Sequence, residues 1–226
     1  MVKAALTTIH DPERALIVSY APAGRRDGLA ALLALDAALA GVLRTTRQPL
    51  VGQMRLAWWR EALERLDRAA APAEPVLRAL AADALPHGVR GAALARMVEG
   101  WEALLVDPLD LRALQRHAVA RGGRLFACIT TMLDVPGRRL ARFGRGWALA
   151  DLSRHLSDVA LAACAREMAM PRLATDWTDR GTAWPRAARA AGGLIIAARL
   201  DLADRSPPPG SPRRVARLAW HRLTGR

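Results

Sequence analysis

Residues 94–105 read Leu-Ala-Arg-Met-Val-Glu-Gly-Trp-Glu-Ala-Leu-Leu, and this stretch carries the clearest structural signal in the chain. Its large apolar side chains recur at intervals of three and four residues, which is the period of one helix face. They are Leu94, Met97, Val98, Trp101, Leu104 and Leu105. We therefore predict an amphipathic helix here, with Trp101 largely buried.

The same helical period continues on both sides of this stretch. The chain is rich in Ala and Leu, which favour helix, and only 4% of its residues are aromatic. Residues 69–75, rich in Ala and Pro, are interpreted as a linker. Helices are predicted from Pro12 to before Pro22, from Arg25, from Pro49, after Gly88, over 109–133, after Pro136-Gly137 through Val159, over 186–202 and over 213–223. No segment has strand periodicity, so the predicted fold is all-α.

Three features inside these helices predict packing. Gly122-Gly123 is costly in a helix and indicates a bend or a close helix–helix approach. Trp58 and Trp59 are adjacent, so they face different directions and at least one should lie in the core. Asp36 lies in an otherwise apolar helix, and a buried carboxylate needs a partner, so we predict a salt bridge to an arginine.

The length of 226 residues fits one domain, which we place at 1–206, followed by a Pro-rich linker and basic helix at 207–226. We expect Pro207-Pro208-Pro209-Gly210 to hold the last helix apart from the preceding one. Two alternatives stay open for this helix. Its apolar side, with Val215, Leu218 and Leu223, lies on an anionic membrane, or it packs back on the domain.

The formal net charge of +13 is compatible with nucleic acid, anionic membranes or diphosphates as partners. Lys3 is the only lysine, however, and the scattered arginines fit the coding bias of a GC-rich genome. No nucleic-acid-binding motif is present, so we expect no nucleic acid partner. Cys128 and Cys164 lack metal or redox spacing, no signal peptide is recognisable, and the apolar run 192–198 is too short to span a bilayer. We expect a cytoplasmic protein.

A series of short segments resembles the squalene and phytoene synthases over about residues 14 to 203. The segments are Tyr20-Ala21-Pro22-Ala23, Arg25-Arg26, Ala31-Leu32-Leu33-Ala34-Leu35, Leu56-Ala57-Trp58-Trp59-Arg60-Glu61-Ala62-Leu63, Gly146-Trp147-Ala148-Leu149 and Met170-Pro171-Arg172-Leu173. The resemblance implies the helical isoprenoid synthase fold. It also implies the joining of two prenyl diphosphates by Mg²⁺ ions that two opposed acidic clusters hold.

The chain departs from this family pattern at both acidic clusters. Ala40, Gly41 and Arg44 stand where the first cluster is expected. At the second, the chain has Asp151, Ser153, Arg154, His155 and Asp158. We therefore expect no metal site, no catalytic residue and no cofactor. Residues 47–55, Arg-Gln-Pro-Leu-Val-Gly-Gln-Met-Arg, followed by the Trp pair, resemble the branch of the family that assembles respiratory complex I.

The candidate cavity or anion-binding residues each have a plainer alternative. Tyr20, Arg25 and Arg26 resemble the position where the family grips diphosphate, but the two arginines also fit an exposed pair at a helix start. Trp59 can line a cavity or pack in the core. Asp151, Arg154 and Asp158 can face a pocket, or Arg154 and Asp158 can form a surface ion pair. His155 has no second ligand at metal spacing.

Three functions remain open. The first is a non-catalytic family member that binds a protein or a prenyl lipid, with a respiratory-chain subunit or complex I assembly protein as partner. The second is an active prenyl transferase, for which Mg²⁺ would be the cofactor. The third is a binder of anionic surfaces that acts through net charge, with peripheral contact at the inner face of the membrane.

Overall fold

The computed structural model describes residues 12–46, 48–174 and 183–226. In these ranges the chain forms helices and no strand, which confirms the predicted all-α fold. The α-helices are α1 Pro12–Val18, α2 Arg26–Thr45, α3 Pro49–Arg65, α4 Pro75–Asp83, α5 Gly91–Glu102, α6 Leu111–His117, α7 Arg124–Leu133, α8 Arg138–Ser153, α9 Val159–Leu173, α10 Arg189–Asp201 and α11 Pro212–Thr224. A π-helical segment, Ala118–Gly123, joins α6 to α7. Lys3 and Arg47, named above, lie outside the described residues.

Helix α2 lies in the core and contacts α1, α3, α4, α5 and α7. Its fully buried side chains are Leu29, Leu32, Leu33, Leu35 and Leu39. The span Ala23–Thr45 is long and apolar enough to cross a membrane by length and composition. Within the described part of the chain, it serves as the core helix against which its neighbours pack.

The long helical stretch before residue 133 bends through its π-helical segment. A Cβ atom at Gly122 would lie 2.6 Å from the Gly144 carbonyl carbon and 2.7 Å from the Ala148 Cβ, so the π segment crosses α8 in backbone contact. A Cβ atom at Gly100 would lie 2.5 Å from the Arg121 nitrogen, so α5 approaches equally closely on another side. The prediction of a close helix–helix approach at the glycine pair is confirmed.

The two tryptophans of α3 face different directions, and the predicted burial of at least one is confirmed. Trp59 lies in the core with Leu56 and Leu63, whereas Trp58 is 47% exposed. Trp101 of α5 is buried, as predicted. The helical period therefore identified the inward faces of α3 and α5 correctly.

Two elements differ from the sequence prediction. Helix α4 follows the linker at Pro75, capped by the Glu74 carboxylate, which accepts a hydrogen bond of 2.7 Å from the Leu77 amide. It is short and buries only Leu77 and Leu80, too few residues for a periodic signal. The predicted helix through Val159 ends at Ser153 instead, and α9 begins where the Asp158 side chain accepts from the Leu161 amide at 3.0 Å. Pro171 lies inside α9 rather than breaking it.

The C-terminal helix packs back on the domain. Arg214 of α11 is buried and donates to Glu13 of α1 at 2.6 and 2.9 Å, and to Asp201 of α10 at 2.6 Å. The expectation that Pro207–Gly210 hold this helix apart is therefore wrong. The expected apolar side is also divided, because Leu218 is fully buried while Leu223 is 74% exposed.

Candidate functional site

A cavity of about 720 Å³ lies between α2 and α8. The end of α5 and the segment after it form a third wall, and Pro209 from the linker before α11 closes another side. The apolar lining residues are Leu33, Ala34, Ala37, Ala40, Leu43, Trp101, Leu104, Leu109, Leu152 and Leu156. Charged side chains and a histidine form much of the remaining lining, so apolar and polar surfaces share the cavity.

A fully buried arginine bridges the two helices at the base of this cavity. The Arg121 guanidinium donates to both oxygens of Asp36 on α2, with Nε to Oδ1 at 2.7 Å and Nη2 to Oδ2 at 2.9 Å. Its Nη1 donates to Asp151 on α8 at 2.6 Å. The planar guanidinium thus binds one carboxylate in bidentate geometry and a second with its remaining edge. The predicted salt bridge from Asp36 to an arginine is confirmed.

Aromatic rings enclose the same guanidinium on its two sides. The Arg121 Cζ atom lies 4.4 Å from the Trp101 ring centroid and 4.7 Å from the Trp147 ring centroid. Both distances are within the range for cation–π attraction, which strengthens when water is excluded. Three hydrogen bonds to carboxylates and two aromatic rings therefore hold this side chain in position.

The buried charges of this cluster balance one another. Burial alone would raise the pKa of Asp151, but the ion pair with Arg121 outweighs it and lowers the pKa to about 2. Burial opposes the charged form of Arg121 too, yet Asp36 and Asp151 raise its pKa above the ordinary value. Arg14, 3.9 Å from Asp36, supplies a second positive charge against the two carboxylates. At neutral pH Arg121 and Asp151 are therefore both ionised.

His117 supports Arg121 from the preceding helical turn. Its Nδ1 lies 2.7 Å from the Gly100 carbonyl oxygen, and its Nε2 lies 3.4 Å from Arg121 Nη1. Burial and the neighbouring Arg121 charge lower the pKa of His117 to about 4. The ring is therefore neutral at pH 7, with Nδ1 donating to Gly100, so that Nε2 can accept from the guanidinium.

The cavity mouth is basic. Arg44 at the end of α2 and Arg154 and His155 just after α8 line it. Arg154 pairs with Asp201 at 2.8 Å, so the expected pair between Arg154 and Asp158 is wrong, and Asp158 caps α9 instead. His155 is an exposed residue whose Nδ1 lies 2.7 Å from the Asp151 carbonyl oxygen. Apolar walls below a cationic mouth suit an anionic amphiphile.

The side chains at this site do not fit a magnesium cluster. Asp36 and Asp151 are the carboxylates that line the cavity, and Arg121 already binds both of them. Ala40 and Arg44 line the wall at positions where the resemblance implies acids. Among residues 12–46, 48–174 and 183–226, no three His, Cys, Asp or Glu side chains lie together as metal ligands would.

The sequence-predicted site residues divide into two groups. Asp151 and Arg154 do line the cavity. Trp59 is a core residue, and Asp158 is a helix cap. The Tyr20 side chain is buried under the Arg222 guanidinium, whose Cζ lies 5.4 Å from the ring centroid.

The two arginines after Tyr20 donate hydrogen bonds to backbone carbonyl groups and do not line the cavity. Arg25 donates to the Met132 carbonyl oxygen at 3.0 Å, and Arg26 donates to the Ala21 carbonyl oxygen at 3.1 Å. Neither is among the residues that line the cavity. The structure therefore does not bring Tyr20, Arg25 and Arg26 together with Asp151.

Sequence reasoning missed Arg121, Trp147 and His117. Two signals pointed in their direction without naming them. Asp36 required an arginine, and Gly122-Gly123 required a close approach beside Arg121. Arg121 is charged, so it adds nothing to the apolar period of its helix face, although it is buried there.

A model of the squalene/phytoene synthase family matches residues 7–181. No curated protein and no solved structure is significantly similar to the chain. The family match covers both helices that face each other across the cavity, so it includes the whole Asp36–Arg121–Asp151 cluster.

Proposed function

The chain belongs to the squalene/phytoene synthase family, and from that premise we propose that it is a member without prenyl transferase activity. It works instead by binding a lipid or a protein. The observation that carries the proposal is the bridge from Arg121 to Asp36 and Asp151. A guanidinium there uses the carboxylate oxygens that a metal–diphosphate assembly would need.

Recruiting these carboxylates for metal would be costly. Arg121 is fully buried, and Asp36 is 1% exposed. Separating a buried ion pair without replacing the lost partner costs about 3–5 kcal/mol. A metal ion would also have to enter beside a fixed positive charge, which repels it. These two costs support a cavity that binds its ligand without metal.

The cavity supplies what an amphiphile needs. Its apolar walls can shelter a hydrocarbon chain, since burying apolar surface contributes about 25 cal/mol per Å². Arg44 and His155 at the mouth offer donors to an anionic head group. A prenyl lipid is the ligand that fits the family background.

Calorimetric titration with farnesyl diphosphate, with and without Mg²⁺, tests the proposal. We expect any binding to be unchanged by Mg²⁺, and no diphosphate to be released by coupling of two farnesyl groups. A Leu152→Trp variant, which places bulk in the cavity wall, is the control for binding inside the cavity. Tight binding that requires Mg²⁺, or a carbon–carbon coupled product, would establish the alternative function, an active prenyl transferase with Mg²⁺ as cofactor.

We propose further that the protein assists assembly of respiratory complex I, as a cytoplasmic protein in peripheral contact with the membrane. The support is the resemblance of residues 47–55 and the Trp pair to the assembly branch of the family. Deleting the gene in the source organism should lower assembled complex I on native gels. Complex II is the internal control. Normal complex I levels in the deletion strain would rule out this role and leave the lipid-binding proposal intact.

A further inference from the structure

The outward face of α3 exposes large apolar side chains in its first half. Leu50 is 67% exposed, Met54 66%, Trp58 47% and Val51 41%. The spacing of four residues puts Leu50, Met54 and Trp58 in one row along the helix. The row ends at Trp58, because Glu61 and Arg65 continue the same face with charge. A sharply bounded apolar row on a helix surface indicates a contact surface rather than scattered exposure.

The chain around this row is positively charged throughout. Between Asp36 and Glu61 the sequence contains no acidic residue and four arginines. Arg44 and Arg55 are exposed, and Arg55 is held in place by donating to the hydroxyls of Thr45 and Thr46 at 2.9 Å each. Arg60 pairs with Glu102 and Glu61 follows Trp58, so the positive charge lies beside the first part of the row. Exposed apolar side chains next to Arg44 and Arg55 match an anionic lipid surface, which attracts each arginine and receives the apolar groups.

The opposite side of α3 packs against the rest of the domain. A Cβ atom at Gly52 would lie 3.5 Å from Leu105, so this side of the helix lies against the segment after α5. Gly52 is two residues from both Leu50 and Met54, which is about 200° around an α-helix. The exposed apolar row therefore faces away from this contact.

We propose that the first half of α3 is a membrane-docking surface for anionic lipid. Leu50, Met54 and Trp58 enter the interfacial region, and Arg44 and Arg55 bind lipid phosphates. Tryptophan prefers this depth because its ring is amphipathic. The proposal assigns membrane contact to α3 rather than to the C-terminal helix. It does not depend on the cavity's ligand or on the loss of catalysis.

Co-sedimentation with vesicles tests the proposal on the full chain. The vesicles contain phosphatidylcholine alone or mixed with anionic phosphatidylglycerol. The test variant is Leu50→Asp/Met54→Asp. The matched control is Trp220→Asp/Leu223→Asp on α11, where the side chains are similarly exposed, at 57% and 74%, and the charge change is identical. Circular dichroism and melting temperature establish that both variants are folded.

We expect the wild type to sediment with the anionic vesicles and less so at high salt. The α3 variant should partition about tenfold more weakly or worse, and the α11 control should stay near wild type. Equal weakening of both variants would mean that net charge alone binds lipid, and would overturn the proposal. Weakening of the α11 control alone, or no binding to anionic vesicles by the wild type, would overturn it too.

Quenching of tryptophan fluorescence by brominated lipid adds a positional readout. The quenched fraction should fall in Trp58→Phe and stay unchanged in Trp220→Phe. An unchanged signal in Trp58→Phe would contradict insertion at α3. Sedimentation velocity distinguishes a second copy of the chain as occupant, since a wild-type dimer that the α3 variant dissolves would overturn the membrane assignment.

Discussion

Arg121 shows how much a single side chain can depend on its neighbours. Its charge is acceptable in the core only because Asp36, Asp151 and two tryptophan faces surround it. The same neighbours need Arg121, since its removal leaves a carboxylate in Asp36 that is 1% exposed. The residues of this cluster are therefore energetically coupled, and their substitutions should not be additive.

We expect Arg121→Met to lower the free energy of unfolding by about 3–5 kcal/mol, because it strands the Asp36 carboxylate. Adding Asp36→Leu should recover a large part of that loss, since a buried ion pair can be replaced by apolar side chains of similar volume. Urea unfolding of the two variants and of Asp36→Leu alone completes the double-mutant cycle. Additive losses would contradict the coupling.

His117 should make stability depend on pH. Its pKa is about 4 in the folded protein and near 6.5 when unfolded, so between these values the unfolded chain binds more protons. The contribution of neutral His117 to the free energy of unfolding is fully present above pH 6.5. It is lost as the pH falls from 6.5 through about 4, and the total loss is about 3 kcal/mol. Asp151, whose pKa is lowered to about 2, adds a further loss at still lower pH.

The check is the melting temperature against pH for the wild type and for His117→Asn, whose amide can still donate to the Gly100 carbonyl. The variant should start less stable and show a flatter profile between pH 6.5 and 4. An identical profile for the two proteins would mean that other groups carry the acid sensitivity.

At the scale of elements, the π segment and α8 meet through glycine. Gly122 crosses α8 where a Cβ atom would overlap the Gly144 backbone, and backbone cannot yield as a flexible side chain can. This crossing sets the distance between Arg121 and Asp151, which lie one residue and seven residues beyond the contact on their respective helices. The glycines thus position the charged cluster.

We expect Gly122→Ala to lower the free energy of unfolding by more than the usual cost of overpacking, which is about 1–3 kcal/mol. The reason is that the π segment and α8 must move apart to make room for the methyl group. Gly24→Ala is the matched control, since nothing lies within 4 Å of the added methyl group. Thermal unfolding should separate the two clearly. If Gly122→Ala melted with the control, the crossing would be looser than described.

Most elements were predictable from sequence because their inward faces are periodic. The stripe from Leu94 to Trp101 is buried in the structure, and Pro49 does begin α3. Helix α4 was missed because two buried leucines are too few to show a helical period. Helix α9 was missed because a proline such as Pro171 usually interrupts a helix. Local pattern predicts a helix well only where the helix is long and uninterrupted.

At the scale of the whole molecule, Arg214 ties the two ends of the chain together. It binds Glu13 of α1 and Asp201 of α10, and Asp201 also binds Arg154 at the cavity mouth. Truncation after Ser206 would therefore do more than remove a surface helix. It would leave Glu13, which is 6% exposed, without its bidentate partner.

We expect Arg214→Ala to lower the melting temperature by roughly 6–20 °C, from the loss of its buried ion pairs with Glu13 and Asp201 and the thermal response of a domain this size. Arg213→Ala, one residue away and exposed, should leave it unchanged. Differential scanning calorimetry is the measurement. Equal melting temperatures would show that α11 contributes little to the stability of the domain.

The site itself was only half predictable. Asp151 and the arginine partner of Asp36 followed from burial and family resemblance, but the identity of that arginine did not. Thirty-three arginines were candidates, since the 34 basic residues include one lysine. The crossing of α5, the π segment and α8 brings Arg121 to Asp36. Long-range convergence of this kind leaves no trace in the spacing of one helix.

Because an arginine rather than a metal ion links α2 to α8, this link should not depend on the concentration of divalent cations around the protein. A divalent ion that links two helices exchanges with the solvent, so a chelator or a low metal concentration can remove it. Arg121 is tethered to the backbone, so its effective concentration at the two carboxylates never depends on supply. A chelator of divalent cations should leave the melting temperature unchanged. The ion pairs that join α2 to α8 should therefore form equally in cells with little magnesium and in cells with abundant magnesium.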